Sequence, residues 1–286
     1  MPELPEVEAL TRFIAEKATG TTVQRAELAS LAALKTYQPP IDDLVGRIVV
    51  GTERRGKYLL VDTGGLWLVT HLARGGWVQW REKTPPARAR PGKGPLALRL
   101  GLSTGSGLDV TEQGTEKRLA LWVVTSPDEV DGVARLGPDP LAASFGVESL
   151  RTVLSGRGAN LKNLLVDQSV LAGVGNAYSD EALHRARLSP FRTAGKLNDS
   201  EVQRLHAALI GVLSDAVGRS AGMPAKGLKA EKRSGMAVHG RAGEACPVCG
   251  DTVREVSFST KSLQYCPTCQ TGGKLLADRR LSRLLR

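Results

Sequence analysis

The stretch LAGVGNAYSDEAL, residues 171–183, restricts the fold more than any other part of the sequence. Residues 161–166 and 177–186 on either side of its glycines have helical patterns, and Asn176 is placed to cap the second helix. Gly173 and Gly175 would expose backbone N–H groups beside the positive end of that helix, where a phosphate binds favourably. An ordinary tight turn would look the same. The stretch therefore predicts two helices joined by either a phosphate-binding turn or a simple connection.

The chain changes character before this helical region. Apolar runs separated by Gly and Pro clusters predict strands at 48–50, 58–61, 67–69, 96–98 and 119–124, and therefore a β-sandwich or barrel. One amphipathic helix precedes them. A helical pattern over residues 202–216 follows the turn. Residues 83–95 are rich in Pro, Gly and basic side chains and predict a mobile loop.

The charge of the chain favours a polyanionic partner. The 286 residues contain 39 Lys and Arg against 29 Asp and Glu, a formal net charge of +10. Residues 226–286 account for +7 of it, with 12 basic and 5 acidic residues. A solvated basic surface would explain the excess equally well. No apolar run approaches the roughly 18 residues of a membrane span, and the acidic N-terminus differs from a signal peptide, so we expect a cytoplasmic protein without a membrane partner.

The four cysteines form two Cys-x2-Cys pairs with 16 residues between them, and these are Cys246, Cys249, Cys266 and Cys269. This spacing is typical of a zinc ribbon, in which four thiolates surround one Zn²⁺ tetrahedrally. Four protein ligands leave no open position, so the metal would be structural. Two disulfides or a redox pair are the alternatives, and a cytosolic chain disfavours both. The intervening residues predict a β-hairpin finger with Lys261 near its tip.

The N-terminus begins a helix with two possible roles. Pro5 and Glu6 suit the first turn of a helix, which is a purely structural explanation. Removal of Met1 would instead leave Pro2 as a secondary amine. An α-amine titrates near 8 and lysine near 10.4, so Pro2 would be the better nucleophile at neutral pH, with the Glu3 carboxyl beside it.

Six segments in chain order resemble the signatures of one family, and they are PELPEVE at 2–8, GKYLL at 56–60, LGPDPL at 136–141, LAGVGNAYSDEAL at 171–183, VHGRAGEACPVCG at 238–250 and QYCPTCQ at 264–270. On these motifs the sequence resembles the formamidopyrimidine-DNA glycosylase/endonuclease VIII family. Its members are DNA repair enzymes that combine DNA glycosylase and AP-lyase activities. The resemblance covers nearly the whole chain.

The resemblance implies a reaction on damaged DNA with a flipped-out base. Pro2 would attack C1′ of the damaged nucleotide, expel the base and form a Schiff base. Glu3 would be the acid/base that assists deoxyribose opening, and Glu6 would support the site from beneath. Lys57 would contact a phosphate and donate the proton for β-elimination.

The resemblance also implies DNA contacts in the second half. Lys162 and Asn176 would bind backbone phosphates from a helix–two-turn–helix motif. Lys261 stands where the family commonly has arginine, which keeps the charge but loses the bidentate fork and so weakens the phosphate grip and δ-elimination. Glu181 matches a family position, although a solvated helix charge explains it more simply.

Three positions depart from the residues with which the family fills the gap left by the flipped base. Arg74 stands in place of a methionine, and Lys117 and Leu119 align with an arginine and a phenylalanine. Arg74 and Lys117 remain candidate DNA contacts. The preferred lesion, oxidised purine or pyrimidine, and the preferred opposite base stay open, as does an enzyme restricted to abasic or single-stranded DNA.

The expected architecture is an α+β multidomain protein. We expect a catalytic β-sandwich domain with an N-terminal helix at 1–130, an interdomain linker at 131–147, a helix–two-turn–helix DNA-binding domain at 148–240, and a zinc finger with a basic C-terminal tail at 241–286. Damaged DNA is the expected partner of a monomer, associated with the nucleoid when bound. The alternative from another class is a non-catalytic zinc-finger protein that binds damaged DNA.

Overall fold

The computed structural model describes residues 1–92, 94–258 and 262–277. The chain forms two compact units. The first contains Met1–Leu136 and Ser220–Lys229, and the second contains Gly137–Arg219 and Ala230–Arg286. The four domain limits expected from the sequence stay a prediction.

The first unit consists of an N-terminal helix and two antiparallel sheets. Its elements are α1 (Leu4–Ala18), β1 (Val23–Leu28), β2 (Gly51–Arg55), β3 (Tyr58–Asp62), β4 (Trp67–His71), β5 (Gly76–Arg81), β6 (Leu96–Leu102), β7 (Gly107–Glu112), β8 (Ala120–Val124) and α2 (Asp131–Ala134). One sheet has the order β1-β6-β7-β5 and the other β2-β3-β4-β8. This confirms the predicted β-sandwich with an N-terminal helix.

Apolar side chains of the predicted strands lie in the core of this unit. Leu10 and Ile14 of α1 belong to one buried cluster with Leu98 and Leu121 of the sheets. The sequence predicted the strands that consist of apolar runs. It did not predict β1, β5 and β7, because these strands mix polar and apolar residues. The expected strand at 48–50 is wrong: β2 begins at Gly51, after two exposed apolar side chains.

The second unit is helical, with one β-hairpin near its C-terminal end. In chain order its region of the sequence contains α3 (Val147–Leu154), α4 (Leu161–Val166), α5 (Asn176–Arg185), α6 (Asp199–Ser220), α7 (Leu228–Ser234), β9 (Arg254–Ser257), β10 (Ser262–Tyr265) and α8 (Pro267–Thr271). The helix pair α4 and α5 and the finger hairpin β9–β10 are as predicted. Among the described residues, no helix combines the length and apolar character needed to cross a bilayer.

Candidate active site and zinc centre

The N-terminal proline and its neighbouring carboxylates lie buried at the start of α1. Pro2 is buried, and Glu3 and Glu6 are 3% and 1% exposed. The Oε2 atom of Glu6 accepts a hydrogen bond from the backbone N–H of Glu3 at 2.8 Å. Glu6 therefore fixes the backbone directly after Pro2, and it can do so because it follows three residues later in the first helical turn.

Lys57 occupies the tight turn between β2 and β3. Gly56 precedes it with φ of +55°, a conformation that glycine adopts without steric cost and that two-residue hairpins require. The Lys57 side chain is buried. Burial, and then the charge of Lys57, lower the pKa of His71 to about 4. His71 is therefore neutral at pH 7, and the positive charge at this place belongs to Lys57.

The three positions that depart from the family have different environments. Arg74 is exposed, directly after Ala73, which has φ of +49°. Lys117 is also exposed, and its Nζ donates to the backbone oxygen of Glu112 at 2.5 Å. Leu119 is 2% exposed and belongs to the core of the first unit. The Leu119 side chain therefore packs inside the protein, and its alignment with a family side chain that fills the gap in DNA stays a prediction.

A glutamine organises the turn between α4 and α5. The Nε2 atom of Gln168 donates to the backbone oxygens of Val166 and Val174 at 2.9 and 2.8 Å, and its Oε1 accepts from the N–H of Gly173 at 2.9 Å. Gly173 has φ of +84°, which explains the glycine. Sequence reasoning missed Gln168, since an isolated glutamine carries no pattern.

Lys162 has a different role from the phosphate contact implied by the resemblance. Its Nζ donates to Asp180 Oδ1 at 2.6 Å, to Ser179 Oγ at 2.8 Å and to the backbone oxygen of Asn176 at 2.7 Å. The Lys162 side chain is 7% exposed and that of Asp180 is 0% exposed. An ammonium group has three N–H donors, and all three are used here inside the unit. These contacts give Lys162 a structural role inside the unit, and the phosphate contact that the resemblance implies stays a prediction.

Asp180 is the centre of this buried polar cluster. Its second oxygen, Oδ2, accepts from His239 Nδ1 at 2.8 Å and from the backbone N–H of Gln264 at 3.3 Å. The carboxylate thus links α4 and α5 to the segment after α7 and to β10. Asn176 adds a second link to the finger, because its Nδ2 donates to the backbone oxygen of Ser262 at 2.8 Å.

Glu181 is buried, so its interpretation as a solvated helix charge is wrong. Its two oxygens accept from three consecutive backbone N–H groups, those of Ala237, Val238 and His239, at 2.8 to 2.9 Å. Burial raises the pKa of Glu181, the three N–H groups oppose this, and the charge of Asp180 adds to the increase. Glu181 holds the chain at the entrance to the cysteine finger.

The four cysteines lie together at distances that fit one zinc ion. Their Sγ atoms are all within 4.8 Å of one another, with 3.4 Å between Cys249 and Cys266 and 3.9 Å between Cys246 and Cys269. A tetrahedral site with Zn–S bonds of about 2.3 Å requires sulfur atoms roughly 3.8 Å apart. A disulfide would need about 2.05 Å, and all four thiols are free. The cluster binds one structural zinc, and the disulfide alternative is excluded.

His184 of α5 supports this cluster from outside it. Its Nε2 lies 3.3 Å from the sulfur of Cys246, and the side chain is buried. A hydrogen bond to a metal-bound thiolate orients the ligand, as groups around metal sites generally do. Lys261, expected at the finger tip, lies outside the described residues.

The fold and these clusters define a class of protein. A β-sandwich with a buried Pro-Glu pair at its first helix, a helix pair with a glycine turn and a four-cysteine finger together form a DNA glycosylase with AP-lyase activity, an enzyme of base excision repair. Three family descriptions match the chain. They are the formamidopyrimidine-DNA glycosylase N-terminal domain at residues 1–115, the H2TH domain of the same enzymes at 136–225, and the zinc finger found in FPG and IleRS at 243–272.

Known proteins narrow the class to one family. The chain is 38% identical to the formamidopyrimidine-DNA glycosylase of Heliobacterium modesticaldum, over 94% of this chain and 100% of the relative. The MutM (FPG) structure from Thermus thermophilus is 33% identical with a TM-score of 0.80, over 96% and 100%. The Lactococcus lactis Fpg (MutM) structure with N7-benzyl-Fapy-dG DNA is 25% identical with a TM-score of 0.83, over 94% and 100%. The chain belongs to the formamidopyrimidine-DNA glycosylase family.

Proposed function

We propose that this enzyme excises oxidised bases from duplex DNA with Pro2 as its nucleophile. The observation that carries the proposal is the buried Pro2-Glu3 pair, whose backbone is held by the hydrogen bond from Glu3 N–H to Glu6. A structural helix start requires neither a buried proline nor a buried glutamate before the first turn. The solved complex of Lactococcus lactis Fpg contains DNA with a modified formamidopyrimidine, which supports damaged DNA as the substrate class.

The proposed reaction has three steps. After removal of Met1, the Pro2 nitrogen forms a bond to C1′ while the C1′–N glycosidic bond breaks. The base leaves with that electron pair and takes up the proton that the Pro2 nitrogen loses. The Pro2 nitrogen then gives the second C1′–N bond of the Schiff base as the sugar C1′–O4′ bond breaks, and Glu3 protonates O4′. Finally C2′ loses a proton, a C2′–C3′ double bond forms, and the C3′–O bond breaks so that the 3′ phosphate leaves with its electron pair.

Lys57 is proposed to act in the elimination step. Its side chain is charged beside a neutral His71, so it offers an ammonium group to a phosphate and a proton to a leaving group. Burial in the first unit keeps this ammonium group out of bulk water, where a phosphate contact would be weaker.

Four further side chains are proposed as DNA contacts. Arg74 and Lys117 are exposed in the first unit and carry positive charge. They stand where the family has other residues that fill the gap left by the flipped base. Asn176 is the first residue of α5, and Lys261 falls within the residues 243–272 that match the zinc-finger description. Contacts of this kind position the backbone and carry no sequence information. We further propose that the enzyme acts as a cytoplasmic monomer, which size-exclusion chromatography with light scattering would test.

Borohydride trapping tests the nucleophile. An abasic duplex incubated with enzyme and borohydride should give a covalent adduct, which Pro2→Gly abolishes. Pro5→Ala is the matched control, since it changes a nearby proline inside α1 and should keep the adduct. Intact-mass analysis should show loss of Met1. Absence of any adduct from the native enzyme, or an adduct that survives Pro2→Gly, would overturn the proposal.

A further inference from the structure

A loop of the first unit carries basic side chains that the proposed active site does not use. It joins β5 to β6, and the structure describes its residues 82–92. Lys83, Arg88 and Arg90 are exposed in this loop. Within the described ranges, no hydrogen bond or ion pair involves the charged group of any of the three. With the exposed Glu82 beside Lys83, the segment 82–92 carries three positive charges and one negative charge, a net charge of +2.

Two arginines of the neighbouring strands differ from these three, because each forms a salt bridge. Arg81 and Arg99 both form salt bridges with Asp109, at 2.8 and 2.7 Å, and the Asp109 side chain is 1% exposed. Where an arginine of this sheet serves the fold, a buried carboxylate therefore accompanies it. Lys83, Arg88 and Arg90 have no such carboxylate, so their charge has no structural use in the described part of the chain.

The backbone of the loop is attached to its sheet, in contrast to the mobile loop expected from its composition. Arg25 of β1 donates from Nη2 to the backbone oxygen of Pro85 at 3.0 Å. Glu27 of β1 accepts from the N–H of Ala89 at 2.9 Å. Thr84 is bonded to the turn between β6 and β7. A loop whose backbone is already ordered loses less conformational entropy when its side chains bind a partner.

We propose that Lys83, Arg88 and Arg90 form an auxiliary contact for the phosphates of duplex DNA, separate in sequence from the family motifs. The inference rests on the proposed function, because that function makes DNA the partner. Lysine and arginine bind phosphates as cations without reading bases, so the contact acts on damaged and undamaged duplexes alike. It lengthens the time the enzyme stays on DNA while it searches for a lesion.

The salt dependence of binding measures this contact directly. Each phosphate neutralised contributes about 0.9 to the slope of log K against log salt, so the variant K83A/R88A/R90A should have a slope smaller by about 2.7 on an undamaged duplex. Raising the salt fourfold should then weaken the native enzyme by roughly 40-fold more than the variant. The reversal K83E/R88E/R90E should bind more weakly still.

The matched control is K17A/K35A/R135A, which removes the same net charge from other exposed places of the first unit. Its slope should equal that of the native enzyme. An unchanged slope for K83A/R88A/R90A would overturn the proposal, and so would equal decreases in the two triple variants, since overall charge would then explain them. Borohydride trapping with saturating enzyme should be unaffected by K83A/R88A/R90A. Failure of trapping in the native enzyme contradicts the proposed function alone.

Discussion

Replacement of Lys162 by methionine separates a structural role from a DNA-binding one. Lys162→Met keeps the length of the side chain but removes the ammonium group that lies 2.6 Å from Asp180 Oδ1. The Asp180 carboxylate, whose side chain is 0% exposed, then stays buried with His239 Nδ1 and the Gln264 N–H as its remaining donors. Loss of one partner of a buried ion pair costs about 3–5 kcal/mol of unfolding free energy.

Urea unfolding of the zinc-loaded protein would measure this cost. At a typical m-value of about 2 kcal/mol per molar urea, the midpoint should fall by roughly 1.5 to 2.5 M. The double variant Lys162→Met with Asp180→Asn should lose less than the sum of the two single changes, because the carboxylate that lacked a cation is gone. The control is Lys196→Met, an exposed lysine of the second unit.

The opposite result would identify Lys162 as a phosphate contact. In that case Lys162→Met would leave the unfolding free energy within about 0.5 kcal/mol, as exposed substitutions do, and would lower the salt slope of DNA binding by about 0.9. The two outcomes differ in both assays, so an unchanged unfolding free energy would rule out the structural role of Lys162.

Three further results are expected. The pKa of His71 is lowered from 6.5 to about 4 in the folded enzyme, so between these pH values only the unfolded chain binds a proton at this histidine. As the pH falls from 6.5 to 4, the native enzyme should therefore lose on the order of 3 kcal/mol more unfolding free energy than His71→Phe. Equal pH profiles of the two proteins would contradict this. Cys246→Ser should lose both zinc, measured by elemental analysis, and DNA binding, whereas His184→Gln should keep one zinc with about 10- to 100-fold lower affinity; retained zinc in Cys246→Ser would refute the site. Lys57→Ala should slow β-elimination more than base excision in a single-turnover gel assay, and equal losses would remove its proposed role.

The sequence predicted the parts of this enzyme that depend on local pattern. Two Cys-x2-Cys pairs define a zinc cluster because a knuckle is a local structure, and the structure brings their sulfur atoms within 4.8 Å. Apolar runs predicted β3 and β4 for the same reason. The helix pair followed from the helical patterns and from the glycines between the helices. The cap expected at Asn176 is wrong, because Gly175 is the N-cap of α5 and Asn176 is the first residue of the helix.

The sequence did not predict contacts in which the partner of a side chain is distant in the chain. Lys162 and Glu181 carry charges that a sequence assigns to solvent or to DNA by default, since buried charges are rare unless paired. Their partners come from the neighbouring helix in one case and from residues 237–239 in the other. Leu119 is a similar case, because only the packed core shows that its side chain is buried.

The adjacent residues Asp180 and Glu181 show how one short motif does two structural tasks. Neighbours on a helix point about 100° apart, so two consecutive carboxylates contact different parts of the unit. Asp180 binds Lys162 of α4 and the N–H of Gln264 in the finger, while Glu181 binds the three N–H groups that lead into the finger. The stretch LAGVGNAYSDEAL therefore provides the glycine turn with its first half and the attachment of the zinc finger with its second. A change at either carboxylate should therefore disturb the position of the finger without touching a cysteine.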